Sequence, residues 1–142
     1  MLATIGYERA TQAELIARLS AAGVEVLVDV RAVPNSRRAG FSKRVLAASL
    51  AEAGIGYEHL RDLGTPKPGR EAARKGRIAE MREIYDAQLA TPEALDAFER
   101  LVGIVSERRA ALLCFEGEAE GCHRRVLSER LEARLGIGTT DL

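Results

Sequence analysis

The residues best suited to chemistry lie close together near the C-terminus. Both cysteines of the chain and one of its two histidines fall between residues 114 and 123. An apolar run ends at Cys114 and Glu116, a short polar loop follows, and Cys122, His123 and Arg124 then open a predicted helix. At a helix N-terminus beside cations, Cys122 has conditions that favour a reactive thiolate. The window therefore offers candidate nucleophiles and acid/base groups.

The cysteines leave several interpretations open. A phosphatase or rhodanese P-loop needs an arginine six positions after its cysteine, but Glu120 and Ser128 stand there. Zinc ligands could come from both cysteines and His123, completed by His59 or Glu116, but the spacing matches no common zinc pattern, so we assign no metal ligands and keep a metal site only as an alternative. Cys114 could equally be a buried core residue, since free cysteine is among the most buried residue types. A redox pair is a further alternative.

Basic residues suggest a site for an anion. Residues 31–44 contain five cations and no acid, among them Arg31, Arg37 and Arg38. Arg124 follows at the predicted helix start, where backbone amides, the helix dipole and a guanidinium would all favour phosphate. The competing interpretations are solvated surface charge for residues 31–44 and an exposed basic first turn at Arg124.

The surrounding elements alternate between strand and helix. Apolar and β-branched runs predict strands at 3–5, 24–30, 55–60 and 110–115. Apolar stripes with capping residues predict helices at 12–22, 43–53, 78–89, 92–105 and 122–135, and Gly and Pro predict a loop over 61–70. The alternation predicts one α/β domain over residues 1–142, a three-layer α/β/α arrangement with a mainly parallel sheet of about four or five strands and a Rossmann-like or rhodanese-like appearance.

Parallel strands would bring the polar residues to one edge. Ligands of such sheets bind outside the carboxyl ends of the strands. The residues that follow the predicted strands there are Gly6, Tyr7, Glu8 and Arg9, then Asp29 and Arg31, then His59, Arg61 and Asp62, and finally Cys114 with Glu116. We therefore expect one site, built from several loops.

Composition narrows the class of protein. Lys and Arg number 21, equal to Asp and Glu, so net charge gives no global attraction to nucleic acid or membrane. No apolar run approaches the roughly 20 residues of a membrane span, so we expect no membrane association, a cytoplasmic location and free thiols. The sequence indicates no particular cofactor or oligomeric state.

Four ordered motifs resemble a known family. They are Thr4-Ile5-Gly6-Tyr7, the stretch from Leu27 to Phe41 that contains Val28-Asp29-Val30-Arg31 and Ser36-Arg37-Arg38, Tyr57-x-His59-Leu60 with Leu63-Gly64, and Leu113-Cys114-x-Glu116 with Cys122-His123-Arg124. Together they resemble the domain of unknown function 488 family. The resemblance implies a three-layer α/β domain of a cytoplasmic protein and implies no reaction. The family pattern usually has histidine where this chain has Tyr7.

Three functional hypotheses follow. The first is an enzyme acting on a phosphorylated small molecule, nucleotide or nucleic-acid end. Its candidate catalytic residues are Glu116, His123, Cys122, Cys114, Asp29 and His59, and its candidate ligand-binding residues are Gly6, Tyr7, Arg31, Arg37, Arg38 and Arg124. The second is a nucleotide- or nucleic-acid-binding module without catalysis, although aromatic residues are only 4% of the chain. The third is a metal or redox site at Cys114 and Cys122.

Overall fold

The fold is a parallel sheet covered by helices on both faces. The computed structural model describes residues 1–36, 38–115 and 123–142. The strands are β1 (Leu2–Gly6), β2 (Val26–Asp29), β3 (Gly56–His59), β4 (Ala110–Cys114) and β5 (Thr139–Asp141). The helices in the described part of the chain are α1 (Gln12–Ala21), α2 (Lys43–Glu52), α3 (Lys67–Arg74), α4 (Ile78–Leu89), α5 (Pro92–Glu107) and α6 (His123–Leu135), with a 3-10 turn at Arg61–Leu63. The predicted three-layer α/β fold is confirmed.

The sheet has the order β3-β2-β4-β1-β5, and every neighbouring pair is parallel. The central strand β4 places Leu112 between Thr4 of β1 and Val28 of β2. Residues of β1, β2 and β4 are buried throughout, as expected of strands that are covered on both faces. The prediction of a doubly covered strand at β2 is therefore confirmed.

Each face of the sheet has its own apolar core. On one face, Leu15 and Leu19 of α1 and Leu46 and Leu50 of α2 pack on alternate strand residues such as Leu27. On the other face, α3, α4, α5 and α6 contribute the buried residues Ala72, Met81, Tyr85, Leu89, Ala94, Leu101, Val105, Val126, Leu127 and Leu131. The chain thus leaves β1 and β2 towards one face and β4 towards the other. This reversal opens a crevice at the carboxyl end of β4, where ligands bind in open α/β sheets.

Capping residues set several helix boundaries as predicted. Thr11 and Glu14 form a complete capping box at the start of α1. Thr91 accepts a hydrogen bond from the Ala94 amide at the start of α5, whose first residue is Pro92. Ser42 occupies the N-cap of α2, but its hydroxyl donates to the Ser36 carbonyl and accepts from the Ser36 amide instead of capping the helix.

Two elements differ from the prediction. The predicted loop over 61–70 contains a 3-10 turn and the start of α3, because Pro68 lies in the first helical turn, where a missing N–H costs nothing. Strand β5 was not predicted, because Thr139–Asp141 has no apolar alternation. Among the described strands it pairs with β1 alone, and the Thr4 hydroxyl donates to Asp141 at 2.5 Å.

None of the helices in the described part of the chain combines the length and the apolar character that a membrane span needs.

Candidate functional site

An ion pair between Asp29 and Arg31 forms the buried base of the site. Asp29 is fully buried and Arg31 is 6% exposed. The Arg31 Nε lies 2.9 Å from Asp29 Oδ1 and its Nη2 lies 2.6 Å from Oδ2, while the Arg31 backbone amide also donates to Oδ1. Burial alone would lower the pKa of Arg31, but the hydrogen bonds and charge of Asp29 raise it above its usual value. Arg31 therefore keeps its charge inside the fold.

Tyr57 completes the environment of Asp29 from the neighbouring strand β3. Its hydroxyl donates a hydrogen bond to Asp29 Oδ2 at 2.5 Å. Burial and the Asp29 hydrogen bond both raise the pKa of Tyr57 above its ordinary value, so the phenol stays protonated and remains a donor. Both oxygens of Asp29 are thus occupied by donors of the chain itself.

Arg31 also connects β2 to the loop after β1. Its Nη1 donates to the Tyr7 hydroxyl at 3.1 Å and to the Phe41 carbonyl at 2.7 Å. The Tyr7 ring stacks on the Phe41 ring, with centroids 4.4 Å apart and planes inclined by 12°. Tyr7 is 3% exposed. Tyr7 is therefore part of the buried network around Arg31.

Arg38 also binds the loop after β1. Its guanidinium donates to the backbone carbonyls of Tyr7, Glu8 and Ala10. One cation thereby fixes three backbone carbonyls within four residues of this loop. Its neighbour Arg37, a candidate ligand-binding residue, lies outside the described residues.

The two histidines bind successive carbonyls at the end of β2. His59 Nε2 lies 2.8 Å from the Arg31 carbonyl, and His123 Nε2 lies 2.6 Å from the Val30 carbonyl. Because a carbonyl only accepts, each ring carries its proton on Nε2. Burial lowers the pKa of His123 to about 4, so this imidazole is neutral at physiological pH. The Tyr85 and His123 rings meet edge to face, with centroids 5.2 Å apart.

A cavity of about 890 Å³ lies above these residues, at the carboxyl ends of β1, β2 and β4. Its size is within the roughly 300–1,000 Å³ typical of small-molecule sites. The described residues that line it include five arginines and one acid: Arg9, Arg18, Arg31, Arg70, Arg74 and Glu8. Helix α6 begins at His123 in the cavity wall, so the positive end of its dipole also lies there. The cavity is therefore suited to a negatively charged ligand.

Close packing places the arginines of α3 at the cavity. A side chain on Gly64 would put its Cβ 2.3 Å from the backbone of Ala32, so the chain after β3 lies directly against the loop after β2. From there, Arg70 Nη1 donates to the Thr65 carbonyl at 2.8 Å. Arg74 is exposed one turn further along α3.

The structure brings part of the predicted set into the cavity wall. Of the predicted residues that are described, those lining the cavity are Gly6, Tyr7, Arg31, Cys114 and His123, and those outside its lining are Asp29, His59, Arg38 and Arg124. Glu116 and Cys122 lie outside the described residues. The alternative of an exposed basic first turn is wrong, because Arg124 is 1% and His123 is 8% exposed.

Sequence reasoning placed Arg9 at the site edge but did not assign a site role to three other lining arginines. Arg70 and Arg74 belong to a positively charged segment, so their positions held a usable signal. Arg18 lies on α1, six residues after the helix begins, and nothing in its local pattern separates it from ordinary surface arginine.

Two findings concern the cysteine hypotheses. Cys114 is 1% exposed and disulfide-bonded, so the expectation of a free thiol is wrong at this position. Within residues 1–36, 38–115 and 123–142, no group of three His, Cys, Asp or Glu side chains is placed to hold a metal ion.

Comparison with known proteins identified one family. A family model described as Domain of unknown function DUF488 matches residues 11–131, which include β2, β3, β4 and the cavity residues from Arg18 to His123. The comparisons found no matching curated protein and no matching solved structure.

Proposed function

The chain belongs to the family described as Domain of unknown function DUF488, and we propose that it binds a phosphate-bearing small molecule in the cavity at the carboxyl edge of the sheet. The family description names no activity, so the proposal depends on the cavity. The observation that carries it is the charge of the lining, in which five arginines accompany a single glutamate among the described residues.

Four arginines would contact the ligand directly. They are Arg9, Arg18, Arg70 and Arg74. Arg18 and Arg74 are exposed, and neither forms a salt bridge in the described part of the chain. Guanidinium groups bind phosphate oxygens through paired, charge-assisted hydrogen bonds. A phosphate ligand would therefore give these clustered cations the counter-charge that the described lining provides only through Glu8.

Arg31 and Arg38 would act mainly by shaping the cavity. Four of the five N–H groups of Arg31 are used by Asp29, Tyr7 and Phe41, namely Nε–H, both protons of Nη1 and one of Nη2. Arg31 lines the cavity, but most of its donors are thus occupied by groups of the chain itself. Both terminal nitrogens of the Arg38 guanidinium, Nη1 and Nη2, donate to loop carbonyls. We therefore assign these two residues to positioning the loop after β1.

A hydrolase acting on a phosphoester is the second candidate, because His123 lies in the cavity wall. With a pKa of about 4, His123 is a weak base, and its Nε2–H is directed at the Val30 carbonyl. A disulfide-bonded Cys114 provides no thiolate for attack on phosphorus. The geometry thus favours binding, with any catalysis dependent on residues such as Glu116 that lie outside the described part.

Calorimetric titration with inorganic phosphate and pyrophosphate tests the proposal. We expect binding that weakens as ionic strength rises, because salt screens the arginine charges. Arg18→Gln and Arg74→Gln should each weaken binding by roughly 10-fold, the value of one charge-assisted hydrogen bond.

Arg44→Gln is the matched control, because Arg44 is an exposed arginine on α2 that does not line the cavity. It should leave affinity unchanged. Absence of phosphate and pyrophosphate binding, or an equal loss in all three variants, would contradict the proposed site. Release of phosphate from a phosphoester by the unmodified protein would favour the hydrolase instead.

A further inference from the structure

Two exposed apolar side chains lie in the wall of the arginine-lined cavity. Val33 is 52% and Phe115 is 44% exposed, and both line the cavity. The large hydrophobic residues that are exposed in the described part of the chain are Met1, Val33, Val45, Leu95 and Phe115. Single exposed apolar residues are ordinary on protein surfaces. Two of these five side chains lie in one cavity, beside its charged lining, which suggests that the cavity also takes an apolar part of a ligand.

The Phe115 ring is held in place although it is exposed. Its backbone carbonyl accepts a hydrogen bond from the Tyr7 amide at 3.1 Å. The Tyr7 ring meets the Phe115 ring edge to face, with centroids 5.3 Å apart and planes inclined by 84°. Tyr7 is itself fixed by stacking on Phe41 and by the hydrogen bond from Arg31. Phe115 therefore presents an aromatic surface whose position is set before a ligand arrives.

We propose that the ligand is a nucleoside phosphate, with its planar base against Phe115 and Val33 and its phosphate held by the arginines. This inference rests on the proposed function and adds the class of ligand to it. A phosphorylated sugar alone would satisfy the arginines but leave Phe115 and Val33 in water. A base covers such a ring without demanding particular hydrogen bonds, since every base has a π-face.

The test compares three probes on the unmodified protein: adenosine 5′-monophosphate, ribose 5-phosphate and adenosine. The nucleotide should bind at least about 10-fold more tightly than ribose 5-phosphate, as expected for one base stacked on an aromatic ring. Phe115→Ala should remove that difference and leave the affinity for ribose 5-phosphate unchanged. Phe115→Leu, which keeps an apolar side chain but no ring, should remove most of it.

Val33→Ala and Val45→Ala form a matched pair, because both valines are 52% exposed and only Val33 lines the cavity. Val33→Ala should weaken nucleotide binding by a few-fold and Val45→Ala should not change it. Circular dichroism of each variant checks that the fold is retained.

The outcomes separate this inference from the proposed function. Equal affinities for the nucleotide and ribose 5-phosphate would overturn the nucleoside assignment and support the phosphate site. Equal affinities for the nucleotide and adenosine would contradict the phosphate site, while loss of both in Phe115→Ala would support the base site. If none of the probes binds, both proposals are wrong.

Discussion

Replacement of Asp29 by asparagine tests the part that the buried ion pair has in holding the site together. The change keeps the shape of the side chain and removes its charge. Asp29 is fully buried, Arg31 is 6% exposed, and their charged atoms approach to 2.6 Å. In the variant, Arg31 would stay charged with no carboxylate beside it. The NH2 group of the asparagine would also meet donors of Arg31 or Tyr57, with which it cannot form a hydrogen bond.

The expected loss of folding stability is large because the substitution removes only one partner of the ion pair. Breaking a buried pair in this way costs about 3–5 kcal/mol, most of it from the charge left without compensation. A domain of this size has a total stability of roughly 5–15 kcal/mol. At roughly 3 °C per kcal/mol, the melting temperature should fall by about 10–15 °C. The variant is thus expected to fold at room temperature but with a much smaller margin.

Urea unfolding followed by circular dichroism measures the effect, with the midpoint expected to fall at an unchanged slope. Glu58→Gln is the matched control. Glu58 lies on β3, next to β2, and pairs with Arg100 at 2.5 Å, but the Arg100 side chain is 64% exposed. Solvent screens such a pair, so the control should change little. An Asp29→Asn loss no larger than that of Glu58→Gln would refute the reasoning, since burial would then not decide the strength of the pair.

Two further predictions concern packing and pH. Gly64→Ala should destabilise the fold by about 2–3 kcal/mol, because the new Cβ would lie 2.3 Å from the Ala32 backbone. Gly103→Ala, at an exposed and open position of α5, should instead stabilise it by about 0.5–1 kcal/mol. Urea unfolding compares the two variants, and a change in stability of the same sign in both would contradict the close approach at Gly64. Burial lowers the pKa of His123 from 6.5 to about 4, so the unfolded chain takes up a proton at a higher pH than the folded chain does. Up to about 3 kcal/mol of stability should therefore be lost as the pH falls from 6.5 to 4, and none of it above that range. A His123→Gln variant should show a flatter stability profile across that range, and a profile as steep as that of the unmodified protein would contradict the assignment.

Local signals in the sequence were sufficient for most of the fold. The capping box at Thr11 and the proline after Thr91 fix helix starts through interactions within one turn, which sequence alone displays. The elements that were missed depend on distant partners. Strand β5 is held by backbone pairing with β1 and by Asp141 bonding Thr4, and α3 packs closely on α4, where Gly69 lies against Ile84.

The location of the candidate site could also be predicted, because it follows from strand direction. Once the strands are parallel, the residues after β1, β2 and β4 must meet at one edge, and the cavity lies there. Individual roles could not be predicted in the same way. Arg31 and Arg38 belong to the most basic stretch of the sequence, yet most of their donors bind groups of the chain itself.

The distribution of the arginines suggests how such a site is built. Arginines within the fold, such as Arg31, bind fixed acceptors and thereby set the positions of Tyr7 and Phe41. Tyr7 in turn positions Phe115, so the aromatic wall of the cavity depends on a buried cation that is mostly used internally. The arginines on α1 and α3 lie outside this network and line the cavity. Arg31 at the end of β2 therefore supports the wall of the cavity, while Arg9 and the arginines on the surrounding helices supply most of its charge.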